Sequence, residues 1–507
     1  MGSSRLAPVS DAKDAVGGLK GLLVGRNVLF LMAGQVVYSL INVAAMALLG
    51  NALAPHGYGE YAFYYALIPL FASASDAGIG IIVTREVARD PSRTRQVLGD
   101  ALLIKAAVSG LILLVVLVIS WTMLAPAPAF LISLVAATAL IDPGQDPSIW
   151  MFRAREKLHL EALVMVLSQT VWLPLLMWGI ATKAALPQFL AAATVAYVVR
   201  LAVGAVILVR RFGRPEFHPE RARLRHLLAE GLPFGAAMFG TVLYGRVGLL
   251  ALKVLATHSD VAYLNVSIML SQPLNFIANV VGIAILPIVA RDARAGGQAL
   301  RRDLVLNFKW LALAAFPLTV GLFLLAPRIV ALLFRAGDFE PAAAGLQLLS
   351  LGLLVMFLNL SSRYLLAALD RQRHYLRAIL LGLIVNVVLC VALIPSLGFL
   401  GACGAFLGAE VAIAIACHHA LGARVHLNEL AAAATKPLLA ALGMGLLVYA
   451  FRGSGVVALA GIGCVSYVGF LFLLRSFSEE EMQMFRNISG SFGPRGTAVL
   501  RQAEHRS

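Results

Sequence analysis

Charge is what this sequence has least of. Only 13% of its 507 residues are Asp, Glu, Lys or Arg, while 60% are hydrophobic. A soluble domain carries roughly 25% charged residues. Half that share cannot coat a water-facing surface of this size. Cysteine is scarce too: Cys390, Cys403, Cys417 and Cys464 all lie inside apolar runs. That excludes a disulfide framework and metal-ligand spacing. HExxH, GxSxG, P-loop and paired-carboxylate motifs are missing, which argues against an enzyme and against nucleotide-driven work. With no cofactor motif, no cofactor is expected. The first twenty residues are polar and of mixed charge, without a signal peptide's layout, so the first apolar run is expected to stay as a membrane helix.

What the chain has in abundance is apolar runs of spanning length. They fall near 27–50, 60–83, 98–121, 128–150, 160–182, 186–209, 232–254, 261–288, 304–326, 343–368, 376–395, 399–421, 433–451 and 454–474. Each approaches the ~20 residues that cross a hydrocarbon core. The expected fold is all-α and polytopic, with about fourteen transmembrane helices.

The net charge of +15 does not indicate nucleic acid, because the cations sit in short clusters between the runs. Clusters of that kind meet anionic headgroups and fix topology. With the N-terminus inside, 31 Lys and Arg fall in cytoplasmic segments and 5 in the opposite loops. The asymmetry holds through every loop pair, so an even helix count with both termini cytoplasmic is expected. The basic segments then face the membrane lipids of the cytoplasmic leaflet.

A weak internal repeat appears at a shift of 202 residues, with ten identities in 42 positions. Val87-Ala88-Arg89-Asp90 falls on Val289-Ala290-Arg291-Asp292. Equal orientation at that shift implies two parallel six-helix lobes, 27–209 and 232–421, joined by the linker 210–231. Helices 433–474 and the tails 1–26 and 475–507 stand outside them. Parallel repeats of this kind place a transport site between the halves.

Polar residues mark helix faces. On Phe71–Arg95, Ser73, Asp76, Gly80 and Thr84 follow at helical spacing and are expected to share one face. Gln35, Tyr38 and Asn42 do so in the first run. Asn265, Gln272, Asn275 and Asn279 do so in the eighth, and Asn359, Ser362 and Arg363 group in the tenth. Such stripes serve interhelical hydrogen bonds or line a wet cavity, and their repetition favours the cavity. Arg246 sits deep in the seventh run with Lys253 two turns on. Arg200 and Glu410 are deep in the sixth and twelfth. Lys105 and Lys309 stand near helix ends and are expected to snorkel. Asp142-Pro-Gly-Gln-Asp146-Pro should break the fourth helix. Asp76 and Arg246 are the main cavity candidates. Arg85, Glu86, Asp142, Asp146 and Glu410 are candidates for coupling or gating.

The stretches SDAGIGIIVTREVARDP, GQDPSIWMFRAREKLHLEAL and ALAPHGYGEYAF carry a resemblance to a known family. The first resembles a D-x-G … R-E-x-A signature on which Asp76, Arg85 and Glu86 sit. The second is similar to that family's link between helices four and five, and the third to its G-x-x-x-Y-G-x-Y lead-in to helix two. Together they resemble the Wzx-type oligosaccharide flippases of the multidrug/oligosaccharidyl-lipid/polysaccharide superfamily. The resemblance implies twelve to fourteen helices in two lobes around a cavity. It also implies transfer of undecaprenyl-diphosphate-linked glycan to the outer leaflet, with a glycan polymerase and other assembly proteins as partners. In such a cavity Arg246 and Arg363 would hold the diphosphate, and the Asn, Gln, Tyr and Ser stripes the sugars. Two rivals stay open. An ion-coupled drug or cation antiporter of the same superfamily would use a titrating carboxylate. A membrane-embedded glycan polymerase or glycosyltransferase would carry a long outer loop.

Overall fold

The computed structural model describes residues 9–141, 147–274, 297–335, 337–369, 371–422 and 427–477. These residues form fifteen helices: α1 (Val9–Asp76), α2 (Ile79–Arg89), α3 (Thr94–Met123), α4 (Pro126–Ala139), α5 (Pro147–Ala154), α6 (Leu158–Ala181), α7 (Leu186–Phe212), α8 (Arg221–Leu255), α9 (258–274), α10 (Gly297–Leu333), α11 (Ala342–Ala368), α12 (Gln372–Leu397), α13 (Phe399–Leu421), α14 (Leu427–Ala450) and α15 (Val456–Leu473). Eleven of the helices among the described residues are long and apolar enough to cross a membrane. Only helices whose backbone groups are satisfied internally can do so in lipid.

The apolar stretch of α1, Met32–Asp76, is 45 residues long. At ~1.5 Å per residue it reaches twice the ~30 Å of a hydrocarbon core. It is two crossings joined at Ala54, the one residue within it with non-helical dihedrals (φ 54, ψ 173). Pro55 follows, and a proline disfavours helical geometry in the residue before it. With α1 counted twice, and with α4 and α9 included, each of the fourteen apolar runs falls mainly on helix where it is described, apart from the turn at Ala77–Gly78 in the second. In the fourth run α4 ends at Ala139 and α5 begins at Pro147. Asp142 and Asp146 themselves are outside the described residues, as are Asn275 and Asn279.

Two compact units are present. One gathers the described parts of Met1–Pro273, Val330–Leu349 and Leu376–Ala412. Helices from both expected lobes contribute to it. Its core is built on Tyr58, Tyr61, Ile68, Trp172, Phe189, Leu249 and Phe339, all buried. A second cluster in the same unit, Ile79, Ile82, Val87, Leu98, Trp150 and Leu227, packs α2, α3, α5 and α8 together. The other unit gathers the described parts of Leu274–Ile329, Ser350–Tyr375 and Ile413–Ser507. There α14 and α15 close on α10 through Phe316, Met444, Val448 and Tyr467.

Small residues set the helix spacing, as is usual where hydrophobicity cannot drive helices together. A Cβ on Gly34 of α1 would stand 2.7 Å from the Ala162 Cβ of α6. Any larger side chain at Gly34 would force the two helices apart.

Candidate transport site

The site is best followed along one antiparallel helix pair, the second half of α1 and α8. As α1 runs from Glu60 through Tyr65 to Gly78, its neighbours on α8 run from Lys253 through Arg246 to Gly231.

At one end of this pair the signature stretch breaks. Ala77 (φ 49) and Gly78 (φ 74) both adopt left-handed dihedrals, which end α1 and start α2 in a new direction. Glycine takes that geometry without cost, whereas other residues are strained there. The stripe expected through Ser73, Asp76, Gly80 and Thr84 therefore does not share one continuous face. Its hydroxyls bond to their own helices instead: Ser73 donates to the Leu70 carbonyl at 2.9 Å and Thr84 to that of Gly80 at 2.8 Å.

Asp76 ends buried, 3% exposed. Its carboxylate faces the Gly78 and Gly80 amides, with the Lys105 ammonium within electrostatic range. One carboxylate oxygen has no hydrogen-bond partner. Lys105, expected to snorkel, is instead buried and stands 5.5 Å from the centre of the Trp150 ring. Gly80 leaves room for that ring: a Cβ there would lie 2.8 Å from the indole Cε2. Two of the stretches that carried the family resemblance, around Asp76 and around Trp150, thus meet at one place. Trp150 was not among the candidates. Its place as the aromatic residue of the GQDPSIW stretch was the available signal.

Arg85 and Glu86 belong to a different layer. Arg85 ion-pairs with Glu230 of α8, and Glu86 stands 3.6 Å from Arg85 and 3.9 Å from Arg89. Nearby, Arg223 pairs with buried Asp100, Arg95 with Glu216 at 3.0 Å, and Arg153 with buried Glu161 at 2.6 Å. The pairs of Glu230, Glu216 and Arg223 tie this layer to the 210–231 stretch, while Arg153–Glu161 joins α5 to α6. Sequence reasoning read that stretch as a linker and passed over Glu230.

Arg246 lies nine residues before the end of α8, about 14 Å at helical rise and so near mid-depth. Its electrostatic neighbours are Tyr65 of α1 and Tyr197 of α7, whose hydroxyls are 3.2 Å apart. Among the described residues no carboxylate pairs with it, so Asp76 and Arg246 have different neighbours. Glu410 of α13 is buried and accepts a hydrogen bond from the Tyr244 hydroxyl of α8 at 2.8 Å. The Tyr244 carbonyl accepts from Asn386 of α12 at 3.3 Å. Asn265 of α9 donates to the Tyr58 hydroxyl at 2.9 Å. Gln272 is exposed, and Gln35, Tyr38 and Asn42 line a half-buried face of the first half of α1. Asn359 and Arg363 belong to the other unit. Asn359 is buried with its side-chain oxygen unpartnered, and exposed Arg363 lies 5.4 Å from the centre of the Tyr375 ring.

A multi-pass helical protein with this broken signature helix, and with a cation and carboxylates held inside it, fits the transporter plan. Residues 24–292 match the family model described as polysaccharide biosynthesis protein, and residues 161–476 that of the lipid II flippase MurJ. The chain belongs to the polysaccharide-biosynthesis flippase family of the MOP superfamily. Among solved structures, a lipid II flippase MurJ in an inward closed conformation superposes with a TM-score of 0.72 at 13% identity, covering 90% of this chain and 99% of that one. An inward-facing MATE-family multidrug resistance transporter gives 0.61 at 17%, covering 75% and 92%. A MOP superfamily transporter from Pyrococcus furiosus gives 0.56 at 16%, covering 82% and 95%. At such identities the superpositions establish the fold. No curated protein matches the chain by sequence. This family is one of flippases and transporters, and this flippase-family chain is a multi-pass membrane protein.

Proposed function

We propose that this protein moves undecaprenyl-diphosphate-linked oligosaccharide from the inner to the outer leaflet of a bacterial cytoplasmic membrane. It does so by alternating access of a hydrated polar cavity, and serves cell-surface polysaccharide assembly of the O-antigen or exopolysaccharide kind. Both termini are cytoplasmic. No bond of the substrate is made or broken, so the protein acts as a transporter and not as an enzyme. A glycan polymerase and other assembly proteins act on the exported product.

The observation that carries this reading is Arg246. A charge at mid-depth costs about 2.5–3.5 kcal/mol on insertion scales, and here two tyrosine hydroxyls stand where a carboxylate would neutralise it. A guanidinium with no carboxylate partner among the described residues is suited to an anionic guest, and its fork of donors matches phosphate oxygens. Tyr65 and Tyr197 supply hydroxyls that can turn either way, as sugar recognition requires. Asp76, beside Lys105, and Glu410 are the groups able to exchange protons during the cycle. Glu410 supports a second reading, ion-coupled antiport of an organic cation, because a buried carboxylate attracts a cation.

Native mass spectrometry of the protein extracted from its own membrane separates the two. Co-purified polyprenyl-diphosphate glycan, lost in Arg246→Ala, is the expected result. Binding of organic cations without any lipid diphosphate would favour the antiporter.

A further inference from the structure

At the far end of the same helix pair, three basic side chains converge. Lys253 Nζ lies 3.4 Å from His258 Nδ1 and 3.3 Å from its Nε2. The same ammonium stands 5.2 Å from the centre of the Phe63 ring. The His56 and His258 rings meet edge to face with centroids 4.8 Å apart. His56, Glu60 and Phe63 come from α1 just past its break at Ala54, Lys253 from the last turn of α8, and His258 from the start of α9. Glu60 is the carboxylate whose charge acts on both Lys253 and His258. Backbones touch here as well: a Cβ on Gly59 would lie 2.7 Å from the His258 carbonyl carbon. Two further carboxylates stand nearby. Asp260 accepts from the Thr257 and Phe399 amides at 3.1 and 3.2 Å, and together with Asp338 it faces Tyr263.

An ammonium sits this close to an imidazole only while the ring is neutral, since a protonated ring offers no lone pair and adds a like charge. Burial first, then the Lys253 and His56 charges, hold His258 below the ordinary imidazole value, with Glu60 opposing them. At neutral pH the cluster is thus one cation against one carboxylate. Protonating both imidazoles sets three cations against that carboxylate, between the turn after α8 and the kinked part of α1.

We propose that Lys253, His258 and His56 form an acid-opened clasp that holds the α8–α9 turn against α1 beside its break. Above the ordinary imidazole pKa of about 6.5 the clasp is closed. Once apart, the His258 ring loses the burial and the neighbouring cations that depress it, so the open form binds protons more readily. Acid therefore favours opening, and closure is lost as pH falls through about 6.5 toward the depressed value. A hinge at Ala54 released by external acid would regulate the transport cycle proposed above. Only the side of the membrane sensed rests on that reading.

The test uses the full chain in lipid nanodiscs, with the exposed Cys464 replaced by Ser and spin labels at the exposed positions Ala52 and Val254. Distances are measured at about pH 8 and about pH 5.5, on either side of the ordinary imidazole value. In the parent, a longer-distance population is expected at the lower pH, reverting at the higher. The His56→Gln, His258→Gln double variant should keep the short distance at both, and so should Lys253→Met, which removes the repelled ammonium but retains the stem over Phe63. An unchanged parent distance, or lengthening that persists in both variants, would overturn the clasp. Neither outcome touches substrate, so the transport reading stands or falls separately.

Discussion

Gly78 and Gly235 are in backbone contact: a Cβ on Gly78 would stand 2.5 Å from the Gly235 amide nitrogen. Gly231, one turn earlier on α8, would meet the Ala77 carbonyl oxygen at 2.9 Å if it carried a Cβ. The signature glycine thus does two things at once. It takes a left-handed turn and lets α8 come within backbone distance of the break. Asp76 and Arg85 are held at fixed positions on either side of that contact.

Gly78→Ala should therefore be poorly tolerated. The left-handed dihedral alone costs about 1–2 kcal/mol with a Cβ, and the collision with α8 adds to it. A fall in thermal unfolding temperature and in membrane abundance is the expected outcome. Gly110→Ala is the internal control, because no atom lies within 4 Å of a Cβ there. It should be neutral or stabilise by up to ~1 kcal/mol through helix propensity. Equal loss in both variants would mean the close approach is unimportant.

Arg85 and Glu230 are each 35% exposed in their side chains. Solvent screening limits such a pair to about 0.2–1 kcal/mol. A double-mutant cycle, Arg85→Ala with Glu230→Ala in detergent unfolding, should return a coupling energy in that range. Transport should fall more than stability does, because the pair fixes α2 against α8 at the break. Strict additivity in both readouts would remove the pair from the account.

Asp76→Asn keeps the shape and amide-facing hydrogen bonds of the side chain but removes its charge. Lost transport with abundance retained is expected, since Lys105 keeps its contact with the Trp150 ring. A structural ion pair would give the opposite pattern: abundance would fall in Asp76→Asn and return on adding Lys105→Met.

The distribution of basic residues, 31 on one side and 5 on the other, predicts a cytoplasmic C-terminus. A reporter active only outside the cytoplasm, fused after Ser507, should be silent. Its activity there would require an odd number of crossings.

The apolar runs were legible because spanning length is a property of local sequence. The halt at Ala77–Gly78 was not. A run of Ala, Gly and Ile reads as uninterrupted helix until α8 is known to press two glycines against it. Lys105 misled for a related reason. Distance from a helix end suggests snorkelling, yet Trp150 and Asp76 draw the ammonium inward, and neither contact exists before α1, α3 and α5 are packed. Depth picked out Glu410, which is buried, and Arg246, which is half-buried. Their tyrosine partners, Tyr65, Tyr197 and Tyr244, carry no local mark, since a tyrosine in an apolar run looks the same whether it packs or donates. Asn265 of α9 donates to Tyr58 of α1, a partner that no local pattern names.

The central claim is that Arg246 holds the lipid diphosphate while the protein carries its glycan across. The most direct measurement is flipping in proteoliposomes loaded with fluorescent undecaprenyl-diphosphate oligosaccharide, following quenching of the label from outside. The parent protein should speed quenching beyond the half already exposed. Arg246→Ala, at equal reconstituted amount and unfolding temperature, should return to the rate of empty liposomes, and Arg246→Lys should recover part of the activity. Equal rates in the parent and Arg246→Ala, or no flipping by the parent at all, would contradict the account.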